Sequence, residues 1–355
     1  MRAGALVAQQ LNVSDPALVG EPVTVANGVG AFSISGTGLV AYRRVRGSQI
    51  QRQLAWMDRS GALRGAIGGP EGGFIHPRVS PDGRRVAVTR AVQRNQDVWL
   101  LDGTRVSRFT FDAATDATPL WSPDGTRIVF RSERTGQSDL FQKLTTGAGV
   151  EERLVASDEY KFPNSWSVDG RFVLYSSIDD QGDTDLWTVP TAGDRMPSVF
   201  LKTPFNERAG AFSPDGRWVA YQSNESGMEE IYVRPFVPSG VSGASAQAAG
   251  GQWQVSAMGG IHPVWRPDGK ELYYLNPDGA MVGVPITVTG TTLEPGAPVV
   301  LFPTRVAGGG VDLQQGRQYD VAPDGRFLIS AINTEPNSAD APPITLIQNW
   351  RPPTN

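Results

Sequence analysis

The reading of this chain turns on Trp121-Ser122-Pro123-Asp124-Gly125-Thr126-Arg127-Ile128-Val129-Phe130. Pro presets φ for the first corner of a turn, Asp bonds its own backbone, and Gly accepts φ > 0. The apolar run that follows has the pattern of a half-buried strand. The segment is therefore a tight hairpin, and it recurs. Further copies are Val79-Ser80-Pro81-Asp82-Gly83, Trp166-Ser167-Val168-Asp169-Gly170, Phe212-Ser213-Pro214-Asp215-Gly216, Trp265-Arg266-Pro267-Asp268-Gly269 and Val321-Ala322-Pro323-Asp324-Gly325. A degenerate copy runs from Phe32 to Gly38. The anchoring glycines are 38, 83, 125, 170, 216, 269 and 325, at spacings of 45, 42, 45, 46, 53 and 56.

After each hairpin comes a short polar turn and a third strand that opens with an acid: Asp97-Val98-Trp99, Asp139-Leu140-Phe141, Asp185-Leu186-Trp187, Glu230-Ile231-Tyr232. A fourth strand follows, such as Ser107 to Phe111 or Trp253 to Ser256. Four antiparallel strands in a period of about 40–45 residues make one blade of a propeller. The sequence thus predicts an all-β fold: a β-propeller of about seven four-stranded antiparallel blades, with six or eight as alternatives, in a single domain over 1–355.

Ring closure must bring the two ends of the chain together, because open sheet edges invite aggregation. The last hairpin, Tyr319 to Ile332, is expected to take Ile344–Trp350 as its third strand. A fourth strand is then missing. The N-terminal strands within 4–26 would complete or precede that blade, with Glu21 to Ala26 as the candidate fourth strand. Gly4–Val7 through Gly20–Val23 parallels Gly279–Val282 through Gly296–Val299, so the chain reads as starting in mid-blade, as an excised domain or by natural closure. Two small-residue loops, 237–251 (a flexible insertion) and 307–316, read as tolerated surface insertions.

Totals agree with a soluble β protein. Of 355 residues, 39% are hydrophobic and 19% charged, and 41 Gly with 27 Pro imply many turns. A net charge of −4 offers no basic face for nucleic acid. No stretch approaches the roughly 20 apolar residues of a membrane span, and residues 1–8 are too quickly polar for a signal peptide. There is no cysteine, so disulfide and thiolate chemistry are excluded.

The repeat resembles the TolB-like, WD-repeat-like propeller module. In Phe212–Phe236, Trp253–Ser256 and Trp265–Tyr274 it also looks like the C-terminal sensor region of bacterial transmembrane serine/threonine protein kinases. That likeness implies a receptor or scaffold part lying outside the cytoplasmic membrane, in the periplasm. It does not imply kinase activity: the Gly-rich loop, H-R-D and D-F-G are absent from this sequence.

The candidate site is the ring of residues at the entry to each first strand: Phe74 and His76, Asp116 and Thr118, Lys161 and Phe162, Glu207 and Arg208, Ile261 and His262, Arg317 and Tyr319. Mixed apolar and charged character suits a protein, peptide or small-ligand surface. The two histidines, each before a proline, suggest ligand or metal groups at a channel mouth; a repeat position that caps a strand is the competing reading. The turn aspartates and the strand-opening acids read as structural. No G-x-S-x-G elbow is present. The expected function is a non-catalytic, monomeric binding or sensor module without cofactor or metal. A hydrolase or lyase working in the channel, and a structural spacer, are the alternatives.

Overall fold

The structure, a computed structural model, describes residues 5–12, 17–27, 29–34, 39–44, 52–69, 72–93, 95–238, 251–310, 316–332 and 344–347. Contacts divide the chain into two units: Arg52–Asn333, and a smaller one made of Met1–Gln51 with Thr334–Asn355. All described elements are strands.

The larger unit is a propeller of six blades. Blade one is Ile75–Val79, Arg85–Val92, Asn95–Asp102 and Arg105–Arg108. Blades two to four repeat the order from Asp116–Trp121, Tyr160–Trp166 and Glu207–Phe212 as first strands. Blade five begins at Ile261–Trp265, and its long third strand, Ala280–Thr289, pairs with both Thr292–Pro295 and Val299–Pro303. Each first strand packs beside the next, and that of blade six beside that of blade one, so the six enclose a central channel.

Closure differs from the sequence expectation. Blade six takes its first two strands, Tyr319–Val321 and Phe327–Ile332, from the C-terminal part and its outer two, Arg52–Met57 and Leu63–Ile67, from the N-terminal part. Residues 21–26 and 344–347 have no place in that blade, and 348–350 lie outside the described residues. The overlooked signal is Leu54-Ala55-Trp56-Met57-Asp58-Arg59-Ser60-Gly61: a hairpin in which Asp58 Oδ1 accepts from the Ser60 and Ala62 N–H groups. It lacks the Ser-Pro-Asp-Gly signature because it joins a third strand to a fourth. The ring thus has six blades, one for each intact repeat. The degenerate copy falls in the smaller unit, where Val29–Ile34 pairs with Val40–Arg44, which in turn pairs with Ile344–Ile347. There Ala5–Asn12 pairs with Ala17–Asn27, and Leu6, Ala26 and Tyr42 form a small buried cluster. The 237–251 loop lies mostly outside the described residues, as do 311–315 of the second loop.

The core sits between blades. Leu54, Phe74, Val86, Val88, Leu101 and Leu328 join blades six and one in one cluster, and Tyr273, Phe302, Tyr319 and Phe327 join five and six. At roughly 1.5–3 kcal/mol for each large buried side chain, these seams are the main stabilising term.

The repeated turn is built as its residues dictate. Gly125 N–H donates to Ser122 O at 2.9 Å, with Gly125 at φ 68°. Ser122 Oγ and Thr126 N–H both donate to Asp124 Oδ1, at 2.6 and 3.0 Å. The motif tryptophan adds an inter-blade tie where geometry allows. Trp121 Nε1–H donates to Arg78 O and Trp265 Nε1–H to Ala211 O, each at 3.0 Å in the preceding blade. Trp166 instead bonds Gly170 O of its own turn. The strand-opening acids anchor fourth strands and blade junctions: Asp97 accepts from Arg108 at 2.8 Å and Asp185 from Lys202 at 2.6 Å. Glu230 accepts from the Gly259 N–H at 3.0 Å and also from Ser256.

Candidate functional site: the first-strand entries and the channel

First strands begin on the face where one blade passes to the next. There the pairing with the second strand slips: register shifts fall at Ile75/Arg78, Ala117/Leu120, Pro163/Ser165, Arg208/Ala211 and Ile261/Val264. Four residues at these shifts hold left-handed backbone although they are not glycine: His76 (φ 52°), Thr118 (51°), Ala209 (54°) and His262 (57°). Each costs of order 1 kcal/mol and persists only where neighbours over-determine it. The neighbours are visible. Thr118 N–H donates to Thr89 Oγ1 of blade one at 3.0 Å, and His262 N–H to Gln222 Oε1 of blade four at 2.9 Å. Blade three has Pro163 here, which has no N–H to donate. The corresponding blade-two residue is Arg131, whose guanidinium lies over the Phe162 ring at 5.3 Å. Such shifts re-aim the side chains around them.

The twelve residues singled out from sequence divide into two groups. Phe74, Asp116, Lys161, Glu207, Ile261 and Tyr319 are buried framework. Lys161, 1% exposed, donates Nζ to Asp139 at 3.0 Å and to the carbonyls of Ser157 and Glu159. Asp116 accepts from Arg134 at 3.0 Å through both oxygens. Tyr319 Oη donates to His262 O at 2.7 Å. Thr118, Phe162, Arg208 and Arg317 are half-buried, while His76 and His262 are buried.

The structure brings four of the second group together. His262 feels, after burial itself, the charges of Arg317, Arg78, His76 and Arg208, and is pushed down to about 3. These groups come from the first strands, or their approaches, of blades five, six, one and four. Blades five and one are not neighbours, so their electrostatic contact runs across the channel. Arg78, two residues after His76, escaped the sequence reading. It is 7% exposed, and burial followed by the Arg317 charge lowers it to about 9. Its signal was an arginine two positions before the Ser-Pro-Asp-Gly turn, where the other blades have Leu120, Ser165, Ala211, Val264 and Asp320.

Among the described residues, carboxylates around this cluster are few. Asp320 Oδ1 accepts from Arg317 at 3.1 Å, and Oδ2 from the Val79 N–H at 2.8 Å. Glu229, raised by burial, is opposed by Arg208 and accepts from Gln222 at 3.2 Å. At the opposite mouth a cleft of about 330 Å³ is lined by Arg78, Arg317 and Asp320 and by Pro81, Pro267 and Pro323 of three Ser-Pro-Asp-Gly-type turns. No group of three or more His, Cys, Asp or Glu able to hold a metal ion occurs among the described residues.

A second feature was also missed. Phe111, Phe205 and Met258, in the loops between blades, are 66%, 41% and 85% exposed. Met228, in the turn between the second and third strands of blade four, is also exposed. Strand order puts all four on the entry face. Phe205, Met228 and Met258 escape a periodicity argument because they belong to no strand pattern, and Phe111, expected at the end of a fourth strand, lies beyond its last residue, Arg108.

Comparisons with known proteins agree with this architecture. Residues 40–196 match the family described as TolB beta propeller domain. The Tol-Pal system protein TolB of Wolinella succinogenes is 27% identical over 171 residues, covering 46% of this chain and 39% of that protein. An uncharacterised peptidase of Bacillus subtilis, YuxL, is 25% identical over 192 residues, covering 42% of this chain and 29% of that protein. The chain therefore matches well under half the length of these relatives. The solved structure of a putative TolB from Agrobacterium tumefaciens superposes with a TM-score of 0.57 at 18% identity, covering 79% of this chain and 97% of that one. The larger unit therefore has a β-propeller fold similar to that of TolB.

Proposed function

We propose that this chain is a non-catalytic binding propeller that docks a protein or peptide on its entry face. One observation carries the reading: Phe111, Phe205, Met228 and Met258 expose apolar surface on the same face as the first-strand entries. Exposed apolar groups rimmed by polar ones are typical of interaction sites. Docking contacts would come from this apolar ring and from the more accessible entry residues Thr118, Phe162, Arg208 and Arg317; Phe74, Asp116, Lys161, Glu207, Ile261 and Tyr319 hold the face in shape. The likeness to a protein of the Tol-Pal system supports a role within an assembly. By the kinase-sensor resemblance, we assign it as a monomeric sensor or scaffold module working outside the cytoplasmic membrane. No helix among the described residues is long and apolar enough to cross a membrane.

The enzymatic alternative, a hydrolase or lyase acting in the channel, draws on the Arg–His cluster. A proton-transferring histidine works best with a pKa near the operating pH. His262, held at about 3 by burial and four cationic neighbours, is a poor fit to that task. Binding is therefore the stronger reading.

The test is capture from an envelope fraction by the wild-type chain and by a Phe111→Ser, Phe205→Ser, Met258→Ser triple variant. A partner retained by the wild type and lost by a folded triple variant is the expected result. Equal capture by both overturns the docking face.

A further inference from the structure

Among the described residues, the channel holds more positive charge than its carboxylates neutralise. Arg78, Arg208 and Arg317 lie within electrostatic reach of His262, and His76 adds a further basic group. Among the described residues, two acids, Asp320 and Glu229, oppose them. Asp320 already uses both oxygens, on Arg317 and on the Val79 N–H. Glu229 faces Arg208. Arg78, more than nine-tenths buried, makes no hydrogen bond to a carboxylate of the described residues; its Nη1 donates to the Pro77 carbonyl at 2.9 Å. The Nε–H groups of Arg78, Arg208 and Arg317, and His262 Nε2, are buried without a hydrogen-bond partner among the described residues.

Desolvated like charges without partners are unfavourable, and an unsatisfied buried donor costs roughly 1–3 kcal/mol, more when charged. A sequence selected only for packing would not gather three guanidinium groups here. An anion in the channel removes both penalties. Guanidinium forks match planar or tetrahedral oxyanions, which accept two parallel N–H bonds from each.

We propose that the central channel is an oxyanion-binding site, in which Arg78, Arg317 and Arg208 receive a carboxylate or phosphate group beside His262 Nε2. This narrows the binding reading above to one chemical class at the channel, and it rests on that reading of the first strands as a ligand surface. The cleft at the Ser-Pro-Asp-Gly mouth, which reaches Arg78 and Arg317, is the path of entry. The remainder of the ligand would extend along the channel from that charged group.

The experiment is titration of the full chain with sodium phosphate and, separately, with sodium succinate. Ionic strength is held constant with sodium chloride, and binding is read by calorimetry and by thermal unfolding. Arg78→Gln and Arg317→Gln are compared with Arg171→Gln, an exposed turn residue. The wild type and Arg171→Gln are expected to bind saturably, and each channel variant at least about tenfold more weakly, the loss expected for one charged hydrogen-bonding group. A response to phosphate alone assigns a phosphate group, and to succinate alone a carboxylate; either supports the site. No saturable response to either anion up to about 20 mM overturns it, since that leaves less than about 2.3 kcal/mol of binding. So does equal binding by both folded channel variants. Should Arg78→Gln fail to fold, Arg317→Gln, half-buried, carries the comparison, with 31P line broadening as the second readout. Loss of anion binding with partner capture intact would sink this inference alone. The reverse would sink the docking face alone.

Discussion

Trp121 Nε1–H donates to the carbonyl of Arg78 in the preceding blade at 3.0 Å. The repeat that defines the fold thus holds the backbone of the residue at the heart of the proposed anion site. Trp265 repeats the contact on Ala211. Removing the donor while keeping an aromatic ring, by Trp121→Phe, is expected to cost about 1–2 kcal/mol, the bond plus some lost volume. Trp166→Phe breaks only a bond within its own turn. Denaturant unfolding of the two variants measures the difference, and an equal or larger loss for Trp166→Phe would refute the inter-blade tie.

Lys161 belongs to the framework. Its ammonium is buried on Asp139 and two carbonyls. Lys161→Met leaves those carbonyls unpaired and Asp139 without a cation it now bonds, although Thr135 and Arg153 still donate to it. A stability loss of about 3 kcal/mol is expected, the usual size for one broken partner of a buried pair. Chemical denaturation checks it. Unchanged stability together with lost partner capture would instead return Lys161 to the docking surface.

His262 supplies a pH signature. Burial and the surrounding cations depress this base to about 3, whereas an ordinary histidine titrates near 6.5. Between those values the unfolded chain binds a proton that the folded chain refuses, so its contribution makes stability fall as pH drops through that window. His262→Gln should flatten the stability profile between about pH 6.5 and 3. Asp82 and Asp124 act from its acid end downward. Each is held under the usual carboxylate range by its motif serine, then by a backbone N–H. Their contribution is present above the unfolded pKa and is lost as pH falls further. An identical profile for His262→Gln and wild type would mean that His262 titrates normally.

Closure through the N-terminal hairpin can be tested by truncation. A chain of residues 52–333 keeps all four strands of blade six and should unfold cooperatively. A chain of 68–333 loses Arg52–Met57 and Leu63–Ile67, exposes the edge of Phe327–Ile332, and should aggregate or unfold without a sharp transition. Circular dichroism melts and size-exclusion chromatography distinguish the two. Equal behaviour would argue against this closure.

Much of the fold was legible in one line of sequence. Trp-Ser-Pro-Asp-Gly specifies its hairpin through local chemistry: a fixed proline φ, an aspartate bonding within its own turn and a glycine at positive φ. The period of the intact copies then implies blades. Such signals survive in sequence because every atom they need lies within about five residues. Blade count and closure were not legible to the same degree. Phe32–Gly38 reads as a degenerate hairpin and Arg52–Ile67 carries no such signature, yet it is Arg52–Met57 that pairs with Phe327–Ile332 and so belongs to the ring. The entry residues were found as a row of positions, but their roles were not. Whether a lysine at the head of a strand meets solvent or Asp139 depends on the next blade. The charge cluster is the clearest case. Arg78, Arg208, His262 and Arg317 are spread across 240 positions of the chain, and no local rule relates them. Only the ring, by turning the first strands toward a common axis, sets their charges against one another. The sequence by itself determined the blade and its turn, because those rest on neighbouring residues. The tertiary structure alone decided the closure and the channel, because those rest on long-range pairing and on desolvation.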